Sequence, residues 1–214
     1  MGIRTDLAVE RLELAEKSLP HGAIRSEETI HGIPMVTVQV EDTNAAEVLG
    51  KPIGKYLTVE CTPFRKTPEN FEAEVMAVAE AVSRLLPDGP ILVAGLGNES
   101  ITPDALGPEA VNLMLATRHI SPELAASLGI KALRPVSVIA PGVLGQTGME
   151  TCEILAALVK ETSPAAVIAI DALAAGDPAR LGATVQVCNT GISPGSGVAN
   201  RRKELSEKTL GIPV

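Results

Sequence analysis

The chain has 214 residues, 45% hydrophobic and 21% charged, with 19 Gly and 16 Pro, proportions that suit a globular α/β or α+β protein carrying a small appendage. Lys and Arg total 18 against 26 Asp and Glu, a formal net charge of −8, and the basic cluster Arg201-Arg202-Lys203 is too short to track a phosphate backbone. The aromatic side chains are Tyr56, Phe64 and Phe71, too few for base stacking, so direct nucleic-acid binding is excluded.

No apolar run approaches the roughly 20 residues of a membrane-spanning helix, and the N-terminal MGIRTDLAVERLELAEK is charged where a signal peptide is apolar. A soluble, cytoplasmic protein without a membrane partner is expected. Cys61, Cys152 and Cys188 are odd in number and lack C-x-x-C spacing, so they read as thiols of a reducing compartment. His21, His31 and His119 form no H-E-x-x-H pattern, and no motif asks for a resident metal or cofactor.

In chain order, residues 4–34 read as charged and irregular, with one helical stretch from Leu7 to Lys17 and a break at Pro20-His21-Gly22. Met35–Val40 and Lys55–Cys61 alternate with period two, which predicts two half-buried strands. Between Asn70 and Leu86, Phe71, Val75, Val78, Val82 and Leu85 recur at helical spacing, so this face is expected on a sheet. Strand and helix then alternate. Short apolar runs at Pro90–Ala94, Pro135–Ala140 and Ala165–Ile170 are separated by helical stretches at Ala105–Ala116 and Met149–Lys160, and Ala183–Cys188 reads as an outer strand. Near-continuous apolar strands between helices predict a mostly parallel sheet with helices on both faces. Arg201–Lys208 reads as a short helix, and Thr209–Val214 as the approach to a further strand.

Ligands of such sheets gather at the carboxyl ends of the strands. Three polar features fall there. Gly95-Leu-Gly97-Asn98 has the first two glycines of a dinucleotide turn but Ser100 in place of the third, and Thr102-Pro103-Asp104 also reads as a helix start with Thr as cap and Asp in the first turn. Asp171 directly follows a buried strand; capping a short helix is its plain explanation. The pair changes the balance. Two aspartates on one sheet edge can hold one proton between them, activating water and protonating a leaving amine. The third, Gly191-Ile-Ser193-Pro194-Gly195, matches a nucleophile elbow formally, but no histidine follows it to complete a triad. His119 follows a helical stretch, where interaction with a helix dipole explains it.

At these residues the chain resembles a known family. Arg4–Glu10, Gly95–Asn98, Thr102–Pro108, Thr117–His119, Pro141–Val143, Ile170–Ala175, Pro194–Val198 and Thr209–Val214, in this order, look like the spore germination proteases. The resemblance implies an endopeptidase that starts the degradation of small acid-soluble spore proteins at germination, in the cytoplasm of the spore core. It implies a homotetramer made as a zymogen, with residues 1–34 as prosegment and N-terminal β appendage and 35–214 as the α/β peptidase domain, ending before the family's proteins do. The implied catalytic pair is Asp104 and Asp171, the implied processing bond Asp6–Leu7, and the implied fold that of the hydrogenase maturation endopeptidases.

Two other readings are weighed beside it. One is a metal-assisted peptidase of the hydrogenase-maturation type, with both aspartates and His119 as ligands. The other is a small-ligand module that keeps the Gly-rich turn without catalysis. Gly97, Asn98 and the loop Pro141–Gly148 are candidate N–H donors to a scissile carbonyl.

Overall fold

The computed structural model describes residues 5–15, 19–63, 65–127, 129, 131, 133–193 and 203–214. In chain order its elements are α1 (Ala8–Leu14), β1 (Ala23–Ile30), β2 (Ile33–Val40), α2 (Thr43–Leu49), β3 (Gly54–Glu60), α3 (Phe71–Ser83), β4 (Ile91–Gly95), a 3-10 turn (Thr102–Asp104), α4 (Leu106–Asn112), α5 (Pro122–Ser127), β5 (Val136–Ile139), α6 (Leu144–Thr147), α7 (Thr151–Thr162), β6 (Ala166–Ile170), β7 (Thr184–Cys188) and α8 (Glu207–Leu210). They form two compact units. The first comprises Met1–Leu86 with Leu173–Thr190, the second Pro87–Ala172 with Gly191–Val214.

The first unit is built on an antiparallel sheet of order β1-β2-β3-β7. His31 and Gly32 join β1 to β2 with φ of 52° and 84°, the two left-handed residues that let a two-residue turn follow the strand twist. Alternation along β2 sends Val36, Val38 and Val40 to one face, where they meet Tyr56, Leu49 and the α1 residues Ala8, Val9 and Leu12. Met35, Leu57 and Val59 face the other way, against Ala77 and Ala81 of α3. Burial of each such Val, Leu or Met side chain contributes about 1.5–3 kcal/mol. Asp42 starts α2 by accepting the Ala45 N–H at 2.8 Å, and Asn70 starts α3 by accepting that of Ala73 at 3.1 Å.

Two sequence expectations change here. The stripe of α3 that packs is its small one, Ala77 and Ala81, flanked by Val78 and Leu85, whereas Phe71 and Val75 stay exposed. Small residues let the helix backbone approach the strands, so the face is rotated from the one the large residues marked. β7, expected at the outside of the parallel sheet, instead pairs with β3 from Tyr56↔Cys188 to Glu60↔Thr184. Its alternation defines a half-buried strand but carries no information about the partner. The strands predicted at Met35–Val40 and Lys55–Cys61 thus belong, as β2 and β3, to a four-stranded antiparallel sheet with β1, which lies in the stretch read as irregular, and the expected single, mostly parallel sheet is two sheets.

The second unit holds the parallel strands, in the order β5-β4-β6. β4 is central and buried at all five positions, which explains its unbroken apolar run. Leu92, Ala94, Leu96 and Val167 pack with Cys152 and Leu155 of α7 and with Leu205 and Leu210 near the end of the chain. Residues 209–214 form no strand. α8 ends at Gly211 with φ 75°, and the tail then lies along the strands, with the Val167 N–H donating to the Pro213 carbonyl at 2.9 Å and the Gly191 N–H to that of Val214 at 3.2 Å. The protein is therefore α/β, with one antiparallel and one parallel sheet. Among the described residues no helix is long and apolar enough to cross a membrane.

Candidate active site

In the second unit β4 and β6 run parallel side by side, with Gly95 opposite Ile170. The ladder closes where the Leu96 N–H donates to the Ile170 carbonyl at 2.8 Å. Asp171 leaves β6 at that level. From β4 the chain passes through Gly97 and Asn98 into the 3-10 turn ending at Asp104, then into α4. Two glycines set how closely this turn returns to the strand ends. A Cβ on Gly97, whose φ is 121°, would stand 1.9 Å from the Asp104 carbonyl oxygen and 3.2 Å from its carboxyl carbon. A Cβ on Gly107 would stand 2.3 Å from the Leu96 carbonyl oxygen and 2.5 Å from that of Ile170. Asp104 is thereby folded over Gly97 while α4 rests on the carboxyl ends of β4 and β6, so both sequence-predicted aspartates lie at one sheet edge.

Each carboxyl group is oriented by main chain. Asp104 Oδ2 accepts the Asn98 N–H at 2.7 Å, and Asp171 Oδ1 accepts the Ala172 N–H at 2.8 Å. Both side chains are half-buried. The Asn98 N–H is therefore committed to Asp104, which removes it from the candidate donors to a scissile carbonyl. In the loop after β5, the N–H groups of Gln146, Thr147 and Gly148 close α6 on Val143 and Leu144. What that loop does supply is Gln146, whose Nε2 donates to Asn98 Oδ1 at 3.0 Å while its Oε1 accepts the Val143 N–H at 3.3 Å. The sequence marks the loop but not this side chain, because its partner is 48 residues away.

The remaining polar features of this unit lie elsewhere. His119 is exposed in a turn beyond α4, not at the end of the helix. Ser193 follows Ile192, which bridges Leu205 in an irregular segment rather than a strand-to-helix elbow; Pro194 and Gly195, with Pro194–Val198 and Arg201-Arg202, lie outside the described residues. Among the described residues no three His, Cys, Asp or Glu side chains gather as a metal site would require. No disulfide joins the three cysteines, and burial pushes the Cys61 thiol up to about 11.

The expected processing bond lies in the first unit. Thr5 and Leu7 are buried to 1% and 0% exposure. The Asp6 carbonyl accepts from Lys51 Nζ at 2.5 Å and Gln186 Nε2 at 3.3 Å, and the Asp6 N–H donates to the Ala174 carbonyl at 2.8 Å. Farther along α1, Glu10 is 4% exposed and accepts the N–H groups of Gly176 and Asp177 at 2.7 and 3.0 Å.

Known proteins are similar to this chain along its length. A "Germination protease" of Caldanaerobacter subterraneus subsp. tengcongensis is 44% identical across 100% of this chain and 67% of its own length. That of Bacillus subtilis is 44% identical across 99% of the chain and 61% of its own length, and that of Clostridium perfringens 40% identical across 99% and 67%. The chain thus spans about three-fifths to two-thirds of these relatives. An α/β fold and relatives that are named proteases define a class: the peptidases. The germination protease family model matches residues 5–214, and the chain belongs to that family.

Proposed function

We propose that this chain is an endopeptidase that initiates the degradation of small acid-soluble spore proteins during germination. The carrying observation is that the 3-10 turn ending at Asp104 folds back over Gly97, just past β4, while Asp171 directly follows β6, the strand paired with β4, on the edge where parallel sheets place their ligands. Two carboxyl groups on one edge divide acid and base roles. The ionised one takes a proton from water as it attacks the scissile carbonyl, and the protonated one delivers a proton to the departing amine. Main-chain donors at Asn98 and Ala172 hold the two groups in orientation, and Gln146 fixes the Asn98 side chain.

In this reading the protein is made as a zymogen, cuts its own Asp6–Leu7 bond, works as a homotetramer in the spore-core cytoplasm, and has a second unit built like the hydrogenase maturation endopeptidases. Incubation with small acid-soluble spore protein, followed by mass spectrometry of the products, tests it. Specific cleavage by the parent chain and its loss in Asp104→Asn and Asp171→Asn is expected. Full activity in either variant removes that residue from the chemistry.

A further inference from the structure

Two side-chain amides tie the turn after β4 to the loop after β5. Asn98 Oδ1 accepts the Ser100 N–H at 3.0 Å and Gln146 Nε2 at 3.0 Å, and Gln146 Oε1 accepts the Val143 N–H at 3.3 Å. A main-chain N–H only donates, so Ser100 fixes which end of the Asn98 amide is the oxygen, and Val143 does the same for Gln146. The bond between the two amides then has one sense, with Gln146 donating and Asn98 accepting. Gly142, with φ 73°, leaves room for this pairing: a Cβ there would stand 3.2 Å from Gln146 Oε1.

The Asn98 amide nitrogen is left over. Its N–H groups meet no acceptor among the described residues, while the main-chain N–H of the same residue holds Asp104 Oδ2 at 2.7 Å. Asn98 is half-buried and lies just past β4, in the connection that carries Asp104. Attack of water on a peptide carbonyl puts negative charge on the carbonyl oxygen. The two acids offer that oxygen no donor, because one carboxyl takes the water proton and the other keeps its own for the amine. A pre-set neutral donor is what such a reaction needs. The main-chain N–H of Asn98 is spent on Asp104, and those of Gln146, Thr147 and Gly148 on closing α6.

We propose that Asn98 is a further catalytic residue, its Nδ2 donating to the scissile carbonyl oxygen as that oxygen takes up charge, with Gln146 and the Ser100 main chain as the groups that aim it. The proposal rests on the peptidase reading and adds to it the donor that stabilises the oxyanion. In the first step the water oxygen bonds to the carbonyl carbon, the π pair moves to the oxygen under Nδ2, and the water proton passes to the ionised carboxyl. The carbonyl then reforms, the C–N bond breaks, and the amine leaves with the proton of the other carboxyl.

The test measures kcat and KM for spore-protein cleavage across pH in the full chain, Asn98→Ser and Asn98→Asp. Both variants keep the main-chain N–H on Asp104 and an oxygen for the Ser100 N–H; the first is neutral, and the second has the shape of asparagine without its donor. Each is expected to lower kcat about 100-fold with KM within about threefold of the parent value, and Asn98→Ser is expected to keep the pH limits of kcat. Gln146→Glu, whose carboxylate cannot donate to Asn98 Oδ1, is expected to lower kcat about tenfold at neutral pH by releasing the amide it aims. Parental kcat in either Asn98 variant overturns the proposal. So does a kcat that recovers at a shifted pH optimum, since Asn98 would then act only by holding Asp104. Where the Asn98 variants do not fold, Gln146→Glu decides, and parental kcat there overturns the proposal. A parent chain that cuts no spore protein overturns the peptidase reading and this inference together. One that cuts, with the Asp104 and Asp171 variants inactive and the Asn98 variants at full rate, overturns this inference alone.

Discussion

Replacing Gly107 with alanine sets two effects of opposite sign against each other. Gly107 lies in the first turn of α4, and a helical Gly→Ala change by itself gains up to about 1 kcal/mol. Here the new Cβ would stand 2.3 Å from the Leu96 carbonyl oxygen, 2.5 Å from the Leu96 nitrogen and 2.5 Å from the Ile170 carbonyl oxygen. All three are backbone atoms of strand ends joined by a hydrogen bond, so no flexible side chain can yield. Forcing an extra carbon into a filled site costs about 1–3 kcal/mol, and overlap with backbone on three sides belongs at the upper end. The net expectation is about 2 kcal/mol of lost stability in the second unit, a melting shift of about 4–8 °C. Calorimetry and urea titration measure this, and spore-protein cleavage measures the accompanying displacement of α4 and Asp104. An unchanged or raised melting temperature with full activity would refute the claim that α4 rests on the ends of β4 and β6.

Other outcomes follow from the first unit. Arg180 makes two hydrogen bonds to Glu13, at 2.6 and 2.8 Å, and holds its carboxyl below the ordinary value of 4.5; such a contribution is present above that value and lost as pH falls through the depressed one. Arg180→Met is therefore expected to cost about 1 kcal/mol at neutral pH, since Glu13 is 40% exposed and solvent screens the pair. Urea midpoints should show the gap closing below pH 4.5, and a gap that does not change between pH 7 and 3 contradicts the pairing. Thr58 is 1% exposed and its Oγ1 has no hydrogen-bond partner among the described residues. Thr58→Val is expected to stabilise by about 1 kcal/mol, and a lower urea midpoint would show that the hydroxyl has a partner.

How much was legible depended on what each signal encodes. β4, β5 and β6 were readable within one or two residues because strands between helices are rich in apolar residues; β4 is buried along its whole length, and only Ser137 interrupts β5. β1 was invisible: it is the edge strand, exposed at Ile24 through Thr29, and its charges guard the edge rather than mark a core. The packed face of α3 was misjudged because alanine packs a helix closely without raising the apolar signal. The positions of Asp104 and Asp171 were legible locally, Asp171 because it directly follows an apolar strand and Asp104 because Thr102-Pro103-Asp104 reads as a helix start, which it is in the 3-10 turn. The contacts of Asp6 were not. Lys51, Ala174 and Gln186 reach it across 45, 168 and 180 residues of chain, and no local pattern records a closure of that length.

The most direct measurement is a kinetic cycle on the two aspartates. Initial rates of spore-protein cleavage are compared for the parent chain, Asp104→Asn, Asp171→Asn and the double variant. If both carboxyl groups serve one water and one leaving amine, the double variant loses no more than the worse single variant, because residues that act as a unit are not additive. Losses that multiply, or a single variant that cuts at the parent rate, would show that the two acids do not share the reaction.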